Sequence, residues 1–169
     1  HDEPVYILQA QALSQGRLFL PGNQFRDDFF KTWFVANEGN RAVFKYTPVH
    51  AAFLALGLLL FGSMRASLGF VAAGNVLLLY SLSRELYPQK RLALVAVAFF
   101  LLSPFFLIQS ATFLSYTTTL LLHLSFATLL LRGHRRNAPH LLFGAGLALG
   151  LAFFARPYDA ILFAIPFGT

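Results

Sequence analysis

Leu92-Ala93-Leu94-Val95-Ala96-Val97-Ala98-Phe99-Phe100-Leu101-Leu102-Ser103-Pro104-Phe105-Phe106-Leu107-Ile108-Gln109-Ser110-Ala111-Thr112-Phe113 carries no charge, and Lys90-Arg91 stand directly before it. A helix needs about 20 residues, at roughly 1.5 Å rise each, to cross about 30 Å of hydrocarbon. This run is long enough. Pro104 lies inside it and is expected to kink the helix without ending it, because neighbouring helices can satisfy the carbonyl that proline frees.

Composition agrees with that reading. Of 169 residues, 57% are apolar, 16% aromatic and only 12% charged, with 20 Phe. Soluble domains carry roughly a quarter charged residues, so the chain reads as a membrane protein. The net charge of +6 does not imply nucleic acid, because the basic residues sit between long apolar runs that no nucleic-acid groove would tolerate. With no Cys, a disulfide framework and a thiolate metal site are excluded. The chain lacks an initiator Met and stops just after an apolar run, so flanking membrane segments are expected to be missing at both ends.

Further apolar segments lie near 66–83, 116–131 and 141–155, and 158–167 continues the last beyond Arg156-Pro157. With 92–113 these predict an all-α, polytopic transmembrane bundle over 66–169. The loops 84–91 and 132–140 hold Arg84, Lys90, Arg91, Arg132, Arg135 and Arg136, whereas the turn 111–115 holds no Lys or Arg. By the positive-inside rule those two loops are cytoplasmic, and residue 66, the 111–115 turn and Arg156 lie outside. The apolar run 48–63 spans only about 24 Å as a helix. If residues 1–65 form an external loop, 48–63 is a juxtamembrane or re-entrant helix; if it crosses, the chain start is cytoplasmic. Charge alone leaves both arrangements open, since the opening region also carries Arg17, Arg26, Lys31, Arg41 and Lys45.

The opening stretch, His1 to Arg17, predicts one short amphipathic helix lying along a membrane surface. Asp2 can cap its first turn, Glu3 and Pro4 suit helix starts, and Gly16 supplies a left-handed end. Tyr6, Ala10 and Leu13 form one apolar row and Val5, Leu8 and Ala12 another, with Gln9, Gln11 and Gln15 on the polar side. Residues 18–47 read as a structured interfacial loop, with a turn at Pro21-Gly22-Asn23. Its aromatics Phe25, Phe29, Phe30, Trp33, Phe34, Phe44 and Tyr46 suit the headgroup level.

The order Asp2-Glu3-Pro4-x-Tyr6-x-x-x-Ala10-x-x-Leu13-x-x-Gly16, followed by Lys45-Tyr46-Thr47-Pro48 opening a short apolar helix, resembles the first external loop of GT-C glycosyltransferases. The similarity is to the protein-mannosyltransferase and aminoarabinose-transferase branch, glycosyltransferase family 39-like. Leu82-Ser83-Arg84-Glu85-Leu86-Tyr87, Ser103-Pro104 and Gly150-Leu151-Ala152 before Arg156-Pro157 match in order over nearly the whole chain, although each motif is short. The resemblance implies an enzyme that transfers a sugar from a polyprenyl-phosphate-linked donor to an acceptor hydroxyl on a glycan, lipid or protein. It also implies an external first loop with juxtamembrane helices holding the catalytic acid, which favours residues 1–65 outside. The implied location is a multi-pass protein of the bacterial inner membrane, with lipids as partners and no nucleic acid.

A sugar on a lipid phosphate already has a good leaving group. One-step inverting transfer then needs a general base for the acceptor and cations for the departing phosphate, without the acid pair of glycosidases. By the resemblance Asp2 is the base, and Glu3 orients it or contributes to metal binding. No cofactor is required by this scheme; where a divalent cation takes part, Asp2 is the position to bind it. The simpler alternative is that both acids only cap a helix. Lys45, Arg156 and, behind them, Arg41 are the phosphate candidates. Lys45 stands three residues before Pro48, whereas the family's lysine commonly stands two before. Snorkelling, or an Arg156–Asp159 pair, is the bland alternative. The turn Ser110 to Tyr116 lacks the acid found there in many relatives, which weakens a two-carboxylate metal site. His123 within a predicted span is expected to bond a Ser or Thr of a neighbouring helix, and Gly146-x-x-x-Gly150 to allow close helix approach. Asp27-Asp28 read as a solvated loop face. A transporter, or a noncatalytic assembly subunit, remains an alternative; only Asn75, Gln109 and His123 would line a polar path.

Overall fold

The computed structural model describes residues 2–21, 35–38 and 41–168. The readings of the Gly22-Asn23 turn, of Asp27-Asp28, and of Phe25, Phe29, Phe30, Trp33 and Phe34 fall outside them. The chain divides into two compact units, His1–Leu68 with Thr112–Leu114, and Gly69–Ala111 with Ser115–Thr169.

The first unit begins with α1, Glu3–Ser14. Its end is a left-handed glycine cap: Gly16 has φ +72°, its N–H donates to Leu13 O, and Arg17 N–H donates to Ala12 O. A short sheet follows, made of β1 (Leu20–Pro21), β2 (Val35–Glu38) and β3 (Arg41–Phe44) in the order β1-β3-β2, antiparallel throughout. Apart from this sheet, the described elements are helical. Thr47-Pro48 then opens α2, Pro48–Phe61, whose 14 residues are too few to cross a membrane. Pro fits there because the first helical N–H groups lack intrahelical partners.

The core of this unit is Tyr6 and Ala10 of α1 against Ala51, Leu54 and Ala55 of α2, with Leu68. Gln9 does not take the polar side expected of it. It is buried and donates from Nε2 to Tyr46 O at 3.0 Å, because α1 turns this face towards the chain entering α2 and the carbonyl there needs a donor. After the left-handed Gly62 (φ +66°) the chain doubles back into α3, Met64–Leu86. The return is tight at Gly57: a Cβ there would clash with the Ser67 side chain and stand 3.0 Å from Ser67 N and 3.1 Å from Ser63 O. Ser67 Oγ donates to Phe53 O at 2.6 Å across the same seam.

The second unit holds the rest of α3 and four further α-helices besides α8: α4 (Lys90–Leu102), α5 (Pro104–Ala111), α6 (Tyr116–Arg135) and α7 (Pro139–Ala155). α8 (Pro157–Ala164) and a 3₁₀ turn, Ile165–Phe167, close the described chain. Pro104 divides the run 92–113 more sharply than a kink, with α4 and α5 bent by 61°. By length and composition α3 is long and apolar enough to cross a membrane, and α4 with α5 pass as a bent pair. The other runs do not reach that length and hydropathy: α6 bears a Thr triplet, His123 and three basic groups in its last turn, α7 has 17 residues, and Pro157 restarts the helix after it.

Large apolar side chains of this unit point outward, among them Phe70, Leu77, Phe99, Leu102, Phe105 and Phe143. Polar ones point inward, including Asn75, Thr117, Thr118, Thr119, His123 and Thr128. Asn75 Nδ2 donates to Val71 O at 3.0 Å and to Thr117 O at 2.9 Å, which ties α3 to the start of α6. At the other end of α6, Arg132 bonds Glu85 at 2.6 Å and reaches Ser81, while Arg135 meets Glu85 at 3.4 Å. Close approach of α6 and α7 occurs at Gly133, where a Cβ would stand 2.8 Å from Leu142 Cδ2, and not at Gly146 or Gly150. Those two glycines are exposed, with nothing within 4 Å of a Cβ; the buried small residues of α7 are Ala145, Ala148 and Ala152.

Candidate functional site

In the first unit the acids at the start of α1 differ sharply. Asp2 occupies the N-cap position, and its carbonyl accepts from Val5 and Tyr6 N–H, but its side chain makes no capping hydrogen bond. The half-buried Asp2 carboxylate has no hydrogen-bond or ion-pair partner among the described residues. Glu3 is engaged instead: Oε1 accepts the Phe113 N–H at 2.9 Å. On the same residue, His50 Nε2 bonds Phe113 O at 3.0 Å. Burial holds His50 well below its ordinary value, at about 4, against the opposing pull of the Phe113 carbonyl. It is therefore neutral near pH 7 and donates Nε2–H. Between them Glu3 and His50 satisfy both backbone polar groups of Phe113, in the turn after α5, a segment with no helical partners of its own.

Tyr6 fastens the second motif of this unit to the first. Its ring stacks on Tyr46 at 4.9 Å and meets His50 edge-on at 4.9 Å. With the Gln9 bond, this holds Lys45-Tyr46-Thr47-Pro48 against α1. Lys45 is exposed just before α2, and Arg41 is exposed on β3 opposite Pro21 and Glu38. Among the described residues no group of three His, Asp or Glu side chains could hold a metal ion.

In the second unit Arg156 sits at the break between α7 and α8. Its N–H still donates to Ala152 O at 2.8 Å, and its carbonyl accepts Ala160 N–H at 3.1 Å, so one residue closes one helix and opens the next. The guanidinium Nε lies 2.7 Å from Asp159 Oδ2, the pairing weighed as the bland alternative, and the group also lies over the Tyr116 ring, 4.4 Å from its centre. Arg156 borders a cavity of about 420 Å³ between α6 and α8, with Tyr116, Thr119, His123 and Asp159 as its other polar groups. Leu120, Leu162 and Phe163 supply the apolar wall. His123 does not bond a Ser or Thr as expected. Its ring stacks on Phe163 at 4.5 Å and 12°, and Nε2 is buried with no partner. Sequence reasoning singled out Asp2, Glu3, Arg156 and His123 and weighed the Arg156–Asp159 pair, three apart at a helix start, but missed His50 as a partner of the Phe113 backbone.

No curated protein and no solved structure matches the chain. Residues 45–167 match the family model described as dolichyl-phosphate-mannose-protein mannosyltransferase, a stretch that takes in Lys45, α2, the bent pair, α6 and the Arg156 break. The chain belongs to the dolichyl-phosphate-mannose-protein mannosyltransferase family and is a glycosyltransferase of the GT-C type.

Proposed function

We propose that this chain forms part of a multi-pass membrane enzyme that moves a sugar, with inversion, from a polyprenyl-phosphate-linked donor to an acceptor hydroxyl on the external face of the membrane. The observation that carries the reading is the pair of adjacent acids at the start of α1: Glu3 is spent on Phe113 while the Asp2 carboxylate has no partner among the described residues. A capping acid would bond the first-turn N–H groups, and Asp2 does not. A carboxylate free of such bonds can accept a proton from a hydroxyl.

In this reading Asp2 takes the acceptor proton as the acceptor oxygen bonds the anomeric carbon. The bond from that carbon to the phosphate oxygen breaks, and the lipid phosphate leaves with the electron pair. Arg156 supplies charge for that phosphate, and Lys45 and Arg41 are further cations for it. Glu3 holds the 112–114 turn rather than the substrate. The apolar exterior and polar interior of the second unit support a lipid-embedded bundle. In that bundle α3, the α4–α5 pair, α6 and α7 cross, and residues 1–65 form the external loop with α2 lying in or near the outer leaflet. The acceptor is a glycan, lipid or protein hydroxyl, and the location is the bacterial inner membrane. A transporter has thinner support, since the buried polar groups are few and partly bonded to backbone.

The intact protein, reconstituted with a purified polyprenyl-phosphate sugar, is expected to release polyprenyl phosphate in step with acceptor glycosylation; substrate uptake into vesicles without transfer would refute the enzyme reading. The chain has no Cys, so single probes test its orientation. Gln11→Cys should react with an impermeant maleimide from outside, and His140→Cys only after the membrane is opened. The reverse pattern would overturn the external site.

A further inference from the structure

The cavity between α6 and α8 contains one cation in its lining, Arg156, and a carboxylate 2.7 Å from it. The Arg156–Asp159 pair is close to neutral as a unit. A phosphate needs more than that. One guanidinium can bond two of its oxygens at most in a fork, and Asp159 repels the same anion. A second donor is required nearby.

Of the other polar side chains lining it, Tyr116, Thr119 and His123, the histidine is the one with a buried polar atom and no bond. It is 7% exposed, borders the same cavity, and its Nε2 has no hydrogen-bond partner. Leaving a buried imidazole nitrogen unbonded is costly, and buried polar groups in folded proteins are nearly always paired. Stacking on Phe163 at 4.5 Å fixes the plane of the ring without using Nε2. On α6, His123 stands one turn after Thr119 and two turns after Tyr116, the end over which Arg156 lies. A cavity of about 420 Å³ suits a phosphate head with the first units of its chain, and Leu120, Leu162 and Phe163 give that chain an apolar wall.

We propose that His123, with its proton on Nε2, is a second phosphate-contacting residue: it donates to a non-bridging oxygen of the lipid-linked phosphate that Arg156 holds. This rests on the donor reading above and adds to it a neutral donor that strengthens as charge gathers on the departing phosphate. No covalent bond to His123 forms. Its role is to bind the donor and the leaving group.

The test is equilibrium binding by the intact protein in lipid nanodiscs, with a polyprenyl monophosphate, the matching polyprenol, and inorganic phosphate as probes. His123→Phe keeps a ring against Phe163 and removes the donor; His123→Gln keeps an N–H donor. Polyprenyl phosphate affinity should fall about tenfold in His123→Phe and recover for the most part in His123→Gln, with polyprenol binding within about twofold throughout. Inorganic phosphate should compete far more weakly than the lipid. Unchanged phosphate affinity in His123→Phe, or an equal loss for polyprenol, overturns the proposal, and free phosphate competing on a par with the lipid overturns its lipid assignment. Arg156→Gln separates the two readings. If it binds polyprenyl phosphate normally, the donor site itself is misplaced; if it loses binding while His123→Phe does not, only the role of His123 fails.

Discussion

In the first unit the Glu3 carboxylate and the His50 imidazole both end on the backbone of Phe113, whereas in the second the imidazole of His123 lies on Phe163 with a buried, unbonded Nε2. Both histidines are buried in helices and both touch aromatic rings. One has a backbone carbonyl to serve and the other has none. The contrast separates polar groups bonded within the fold from polar groups that make no such bond among the described residues. By the same measure Glu3 belongs with His50, and Asp2 with His123.

The comparison breaks first at Asp2. Asp2→Asn removes a base and no capping bond, so turnover should fall about 100-fold or more while donor affinity and thermal stability stay near wild type. Turnover of the intact enzyme close to the wild-type rate would place Asp2 with the structural acids. The seam at Gly57 comes next. Gly57→Ala forces Ser67 and its backbone apart, and an overpacked site of this kind costs about 1–3 kcal/mol, read as a lower melting temperature of the purified protein. An unshifted melt would mean that the α2–α3 return relaxes freely.

Arg156→Gln sharpens the second half of the contrast. Loss of a charge-assisted contact should weaken donor binding about tenfold, while the fold tolerates the change because Asp159 is a partly exposed partner. Donor affinity within about twofold of wild type would reduce Arg156 to an interfacial anchor. The smallest effect is expected from Glu3→Gln. The amide oxygen can still accept Phe113 N–H, so stability should drop by about 1 kcal/mol or less and turnover should change far less than in Asp2→Asn. A rate loss matching that of Asp2→Asn would show that both acids act on the substrate.

Much of the local structure was legible in the residues. Gly16 takes the left-handed position expected of it, Pro48 and Pro157 open helices, and the charged pair Asp2-Glu3 stands at a helix start. Arg156 ends an apolar helix beside Asp159, as the spacing implied. Each of these depends on a residue and its near neighbours, where φ preferences, missing N–H groups and helix spacing act.

What the pattern could not show were the partners far along the chain. Gln9 looked like a solvent-side residue until Tyr46 brought it a carbonyl, and two glycines with packing spacing stand exposed while Gly57 and Gly133 take the close contacts. The sequence alone determined the apolar runs, the ends of the helices and the family, because these follow from composition and short-range order. Tertiary structure alone decided that Glu3 serves a backbone N–H 110 residues away, that the Asp2 side chain does not cap, and that His123 keeps a buried, unbonded nitrogen. A buried polar group must find a partner or remain without one, and which it does depends on the atoms that folding brings beside it.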